Sequence, residues 1–287
     1  MNNTQFFVKM DWLTLTAPYE NWDITAPDRD RAASALMDWL RHQSTVLPRT
    51  ETRQIMRNEP HYHFHYLSSA GWQLSLSARQ SQGVRLVFAG SVLPVGHAEQ
   101  RLIYETLRNE GWRVTRCDVA VDVFNDENTI ERLWHDGMSK QAFKRQRKTD
   151  LILSPNGDTI SVGSRKSDKF MRVYDKAKEQ HVEGDWIRYE LETKYKTAKS
   201  LSPFYNDVIR GASATMLSML DYYPKHFREW FDRVADGAES FRAVGRKSRG
   251  NREIWLMEQV LSALVTTRNE NPALFDRFID ELILRTK

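Results

Sequence analysis

A single cysteine, Cys117, occurs among 287 residues. That scarcity excludes an intramolecular disulfide and a cysteine-built structural zinc site. Cys117 alternates with Asp118 in a strand-like run and reads as a buried thiol. No apolar run approaches the ~20 residues that a membrane helix needs. The opening Met1–Gln5 lacks the charged start and apolar core of a signal peptide. The expectation is therefore a cytoplasmic protein with no membrane contact. There is no Gly-Lys-Ser/Thr phosphate loop, so a nucleotide-driven motor is not expected in this chain. Internal repeats and low-complexity tracts are also lacking.

The bulk composition is ordinary for a folded soluble domain, 40% hydrophobic and 28% charged. A net charge of +4 says less than its distribution. Lys140, Lys144, Arg145, Arg147 and Lys148 form one basic run. Arg165, Lys166, Lys169 and Arg172 form a second, and Arg242, Arg246, Lys247, Arg249 and Arg252 a third. Such runs are often solvated surface, but three of them favour a polyanion such as DNA.

Periodicity places strands at 6–16, 61–66, 72–78, 84–89 and 112–124, and helices at 27–47, 98–109 and 128–135. Gly90, Pro94 and Gly111 punctuate them. Asn156-Gly157, between the apolar runs 151–153 and 159–162, is a strong hairpin signal. Beyond Lys196 the pattern turns helical, at 204–220, 227–234, 252–265 and 272–284, with 237–250 as the best linker.

The residues from Asp158 to Lys194 carry the chemistry. At period two, Phe170, Arg172, Tyr174 and Lys176 share one side of a strand. On a second run, Arg188, Glu190, Glu192 and Lys194 oppose Ile187, Tyr189 and Leu191. Pairing through the turn near Gly184 would set a tyrosine flanked by cations against a carboxylate pair. On the 112–124 strand, Arg116, Asp118, Ala120 and Asp122 share a face opposite Cys117, Val119, Val121 and Val123. Two aspartates in so apolar a run need cations, either Arg116 and nearby lysines or a metal. Asp11, mid-strand, reads as either an edge position or part of a site, with the edge reading slightly favoured. His61, His63 and His65 alternate on one strand face, an alternative metal site or simply a polar face. Taken alone, tyrosine in a strand is usually packing, and Glu190 and Glu192 could pair with Arg188 and Lys194 in a solvated ladder.

The run Gly163-Ser164-Arg165-Lys166-Ser167-Asp168-Lys169-Phe170-Met171-Arg172-Val173-Tyr174-Asp175-Lys176, followed by Arg188-Tyr189-Glu190-Leu191-Glu192, resembles the replication initiation factor family of the Rep_trans type. Met10–Thr16 and Thr115–Asp122 fit it too. That family comprises rolling-circle initiators of plasmids and phages and related conjugative relaxases. The resemblance implies an α+β fold with antiparallel, HUH-nickase-like central sheets flanked by helices. The expected organisation is a nickase and DNA-binding domain at 1–198 and a mostly helical region at 199–287, which could pack on the first as one unit.

The resemblance also implies transesterification of DNA, leaving a 5′-phosphotyrosine link and a free 3′-hydroxyl. It assigns Tyr174 as nucleophile, with Arg172 and Lys176 on the phosphate. Asp118, Asp122, Glu190 and Glu192 would hold Mg²⁺ or Mn²⁺, and Lys144, Arg145, Arg147, Arg165, Lys166 and Lys169 would contact DNA. The implied partners are a replication origin, single-stranded or supercoiled, a host helicase and a polymerase, with homodimerisation left open. Two other readings stand beside it: a DNA-binding regulator with a silent site, and a metal-dependent nuclease using activated water.

Overall fold

A computed structural model describes residues 4–19, 51–77, 83–125, 129–139, 148–220, 225–235 and 238–241, with positions 268, 272, 275 and 276 beyond them. Two compact units are distinguished, Met1–Ala243 and Val244–Lys287. Nearly all of the description belongs to the first. The boundary expected near residue 198 falls inside that unit. Helices expected at 27–47, 252–265 and 272–284 lie wholly or almost wholly outside the described residues, as do Lys144, Arg145 and Arg147.

The strands are β1 (Gln5–Ala17), β2 (Thr52–Ile55), β3 (Phe64–Ser68), β4 (Gln73–Leu76), β5 (Val84–Ala89), β6 (Arg113–Phe124), β7 (Thr149–Ile152), β8 (Thr159–Val162), β9 (Lys169–Asp175) and β10 (Trp186–Lys194). They form one sheet in the order β2-β3-β4-β5-β1-β6-β10-β9-β8-β7. Every pairing in it is antiparallel. The helices are α1 (His97–Asn109), α2 (Ile130–Ser139), α3 (Lys176–Glu179), α4 (Tyr195–Lys199), α5 (Tyr205–Met219) and α6 (Lys225–Ala235). The α+β class expected from the sequence is the class observed.

Local chemistry accounts for the main elements. β6 is rich in β-branched valine, which suits a pleated and packed surface. Its inward row Cys117, Val119, Val121 and Val123 is buried together with Leu13 and Leu15 of β1 and Ile187, Tyr189 and Leu191 of β10. Ile103, Tyr104 and Leu107 of α1, and Val208, Ile209, Ala212 and Met216 of α5, belong to the same core. Full burial of one such aliphatic or aromatic side chain contributes about 1.5–3 kcal/mol, so this layer supplies the main driving force. Gly111, with φ of 84°, closes α1 as the sequence suggested. The Asn156-Gly157 hairpin also forms, with Gly157 at φ of 108° and Ile152 opposite Thr159.

The histidine strand departs from expectation. β3 begins at Phe64, so His61 and His63 precede it. Only His65 sits in the ladder, opposite Ser75.

Candidate functional site

Three neighbouring strands, β6, β10 and β9, set the site through register. On the face away from the helical core, Arg172 of β9 lies opposite Glu190 of β10, and Tyr174 opposite Arg188. One strand further in, Glu192 faces Asp118, Arg188 faces Asp122 and Lys194 faces Arg116. β9 and β10 pair as the alternation suggested. The link between them contains α3, whose first residue is Lys176.

Tyr174 donates its hydroxyl to Glu190 Oε2 at 2.9 Å. Arg172 donates to the other oxygen of that carboxylate, Oε1. Glu190 is 4% exposed, so tyrosine and arginine meet on one buried anion. Burial, together with the Glu190 charge, pushes the Tyr174 phenol well above its ordinary value, against a smaller opposing pull from Arg188. The resting side chain is therefore a neutral phenol with its proton directed at a carboxylate. Lys176 leaves the strand face at the start of α3, where Asp175 caps the helix by accepting from the Lys178 amide at 2.9 Å. Its ammonium pairs with Glu179 and lies 5.6 Å above the Tyr174 ring. The expected position on the strand face is thus replaced by a cation over the aromatic ring.

Asp118 is only 1% exposed. Arg116 grips both its oxygens, Nε to Oδ1 at 3.0 Å and a terminal nitrogen to Oδ2 at 2.6 Å. The same guanidinium reaches Glu192 Oε2 at 2.9 Å, and Lys194 holds Glu192 Oε1 at 2.5 Å. Arg116 also lies over the Trp12 ring at 4.6 Å. Burial pushes the Asp118 carboxyl up to about 7, against the pull of Arg116 and with Glu190 and Glu192 adding to the push.

This shift has a consequence for stability. Between the ordinary value of 3.8 and about 7, the folded chain keeps a proton on Asp118 that the unfolded chain has released. The associated stabilisation is present below about pH 4 and is lost as pH rises through 7. Denaturant titrations from pH 4 to 8 should show a falling contribution, at steepest ~1.4 kcal/mol per pH unit for one proton. Asp118→Asn should flatten it. A slope unchanged in that variant would remove Asp118 as its source.

Asp122 belongs to a second group. Arg188, 3% exposed, binds it through Nε to Oδ1 at 2.7 Å and a terminal nitrogen to Oδ2 at 2.8 Å. The Trp186 indole adds a donor to Oδ1 at 2.7 Å, and the remaining guanidinium nitrogen reaches Asp11 Oδ1 at 2.9 Å. The register of β1 against β6 shifts between Met10 and Trp12, which places Asp11 at the irregularity. A side chain at Gly90 would meet the Asp11 backbone oxygen at 2.6 Å, so glycine permits this close approach. Asp11 is thus a site neighbour rather than an edge residue, and Arg188 an anchor rather than a rung of a solvated ladder. Alternation alone could not reveal the bulge that turns Asp11 inward.

The histidines stand apart from this face, on the far half of the sheet. His65 has both ring nitrogens engaged, Nδ1 with Ser75 Oγ at 3.0 Å and Nε2 with the Tyr62 carbonyl at 3.0 Å. That geometry does not suit His65 to a metal role. Among the described residues, no three His, Cys, Asp or Glu side chains form a ready metal shell. In kind, however, Asp118, Glu190 and Glu192 fit a hard divalent ion: they are buried oxygen donors that already draw two arginines and a lysine. Asp122, closed by Arg188 and Trp186, is separate from them.

Of the expected DNA contacts, Arg165 and Lys166 are exposed. Lys169 is instead half-buried and donates to the Phe241 carbonyl at 2.7 Å. Burial pushes its ammonium below the usual lysine range. The Gly163–Ser167 loop is held by its own serines, Ser167 Oγ donating to the Ser164 carbonyl at 2.6 Å.

Residues 112–232 match the model of the replication initiation factor family. The match contains the Thr115–Asp122 strand and the whole of β9 and β10, whereas Met10–Thr16 precedes it. NicK of Bacillus subtilis (strain 168), which bears the name of a DNA relaxase, is 30% identical over 111 residues. That alignment covers 33% of this chain and 32% of the relative, so the chain spans about a third of that protein's length. The chain also shares its fold with a rolling circle replication initiator protein from Geobacillus stearothermophilus, at a TM-score of 0.58 and 16% identity. That likeness covers 83% of this chain and 99% of the other. Among the described residues, no helix is long and apolar enough to cross a membrane.

Proposed function

We propose that this domain is a DNA-nicking initiator of rolling-circle replication, or a closely related relaxase, with Tyr174 as its nucleophile. The observation that carries the reading is the bond from the Tyr174 hydroxyl to Glu190, on a carboxylate that Arg172 also holds. A neutral phenol is a weak nucleophile, and one buried beside an anion does not ionise spontaneously near neutral pH. Attack therefore requires a proton acceptor in place, and Glu190 is at hydrogen-bond distance.

The phenol oxygen forms a bond to the phosphorus of a DNA phosphodiester as its proton passes to Glu190. The bond from phosphorus to the 3′ oxygen breaks, and that oxygen leaves as a hydroxyl after taking up a proton. The product is a 5′-phosphotyrosine link and a free 3′-hydroxyl. Arg172 and Lys176 supply positive charge beside the tyrosine for the phosphoryl oxygens. Asp118 and Glu192, with Glu190 adjacent, would hold Mg²⁺ or Mn²⁺, which supplies charge stabilisation at the phosphate when bound. The substrate would be an origin in single-stranded or supercoiled form, with a host helicase and polymerase acting downstream.

The ends of the cut strand test this. After incubation with Mn²⁺ and labelled DNA carrying the native origin, the 3′ end should be extendable by a polymerase. The 5′ end should resist phosphorylation even after protein digestion and phosphatase treatment, because the tyrosyl phosphate ester stays on it. Two free ends would indicate a nuclease that activates water, and binding without cleavage over a range of metals a regulator.

A further inference from the structure

Tyr195 has a backbone conformation that its side chain should avoid. Its φ is +51°, the left-handed region that bulky residues adopt only under strain, and it stands immediately after β10. Strain of this kind is commonly offset by packing, yet Tyr195 is 56% exposed. Among the described residues its hydroxyl has no hydrogen-bond partner. The fold therefore holds the ring outward without using it in the core.

Its surroundings are cationic. Lys194 lies 5.8 Å over the ring while its ammonium is fixed by Glu192 and by the Arg165 carbonyl. The Lys194 amide donates to the Asp168 carbonyl at 2.8 Å, tying the strand end to the basic loop. Arg165 and Lys166 on that loop, and Lys196 and Lys199 on α4, are exposed. Lys199 is four residues from Tyr195, at the other end of this short helix. Lys166, Lys196 and Lys199 have no carboxylate partner among the described residues.

An exposed aromatic ring amid unpaired cations is the combination that grips single-stranded nucleic acid, stacking for the base and charge for the backbone. We propose that Tyr195, with Arg165, Lys166, Lys196 and Lys199, forms a docking patch that stacks an unpaired base of a DNA strand and holds its phosphates. The patch extends the proposed nicking function and rests on it for the identity of the polyanion. Along β10, Tyr195 is seven residues from Arg188, the register partner of Tyr174. That is roughly 23 Å at about 3.3 Å per residue. A stacked strand covers it in about seven nucleotides at ~3.4 Å each. The patch thus holds the strand several nucleotides from the nick.

The test is equilibrium binding of the full chain, in a Tyr174→Phe background, to a labelled 20-nucleotide single strand and to the duplex of the same sequence. Tyr195→Ala should weaken single-strand binding by about 5- to 150-fold, the effect of losing one base stack. Its salt dependence should not change. Tyr195→Phe should bind within about twofold of the parent. Tyr195→Gly should lose affinity as alanine does while raising thermal stability, because glycine relieves the strain. Lys166→Ala with Lys199→Ala should flatten the salt slope by about 1.4, at ~0.7 per phosphate contact. Unchanged binding by Tyr195→Ala, or equal loss in Tyr195→Phe, would overturn the patch. Since the background lacks the proposed nucleophile, failure of the cleavage assignment and failure of the patch give different results.

Discussion

Tyr174→Phe is expected to lower nicking by on the order of 10³-fold or more while leaving DNA affinity within about twofold. The size follows from removing the nucleophilic oxygen itself rather than a group that assists it. The fold should tolerate the change. Phenylalanine retains the ring, and the lost hydrogen bond contributes only about 1 kcal/mol. Glu190 keeps its Arg172 partner, so no buried carboxylate is stranded. Rates measured with supercoiled DNA, alongside affinity by fluorescence anisotropy, separate the two effects. Equal loss of cleavage and binding would assign Tyr174 a structural role, and retained cleavage would transfer the chemistry to activated water.

Arg188→Met should destabilise the domain by about 3–5 kcal/mol, because one cation is removed from two carboxylates. Asp122 is 2% exposed and would keep only the Trp186 indole, while Asp11 would keep Lys9 at 3.6 Å. Against a typical total stability of about 5–15 kcal/mol, that loss is large. Much of it is the cost of a stranded anion rather than the strength of the pair. Arg188→Met combined with Asp122→Leu should therefore recover a substantial part. Urea titration of both variants reads this directly. A single variant within 1 kcal/mol of the parent would mean that water or rearrangement already satisfies the aspartates.

Much of this site was legible because strands encode faces at period two. Arg172 and Tyr174, then Glu190 and Glu192, then Asp118, could each be placed on one surface before any pairing was known, and register brings those surfaces together. The need of Asp118 for a cation was also legible, since a carboxylate amid valines cannot be buried alone. Which cation answers it was not: Arg116 and a metal satisfy the same electrostatic demand. Alternation failed where the backbone left the ladder. Lys176 counts as a face residue only if β9 continues, and Asp175 instead caps a helix there. Asp11 is turned by an irregularity in β1 that depends on its partner strand. The histidine row looked continuous because Phe64, Tyr66 and the histidines alternate perfectly, yet the strand starts only at Phe64. Tyr195 carried no signal in composition or spacing, since its strain is a property of the turn from β10 into α4.

The most direct measurement is mass-spectrometric mapping of the peptide bonded to DNA after the purified protein is incubated with Mn²⁺ and single-stranded DNA carrying the native origin, then denatured and digested. The account predicts one nucleotide-linked peptide, modified at Tyr174, and none from a Tyr174→Phe protein. A link at another tyrosine, or cleaved DNA with no linked peptide, would contradict it.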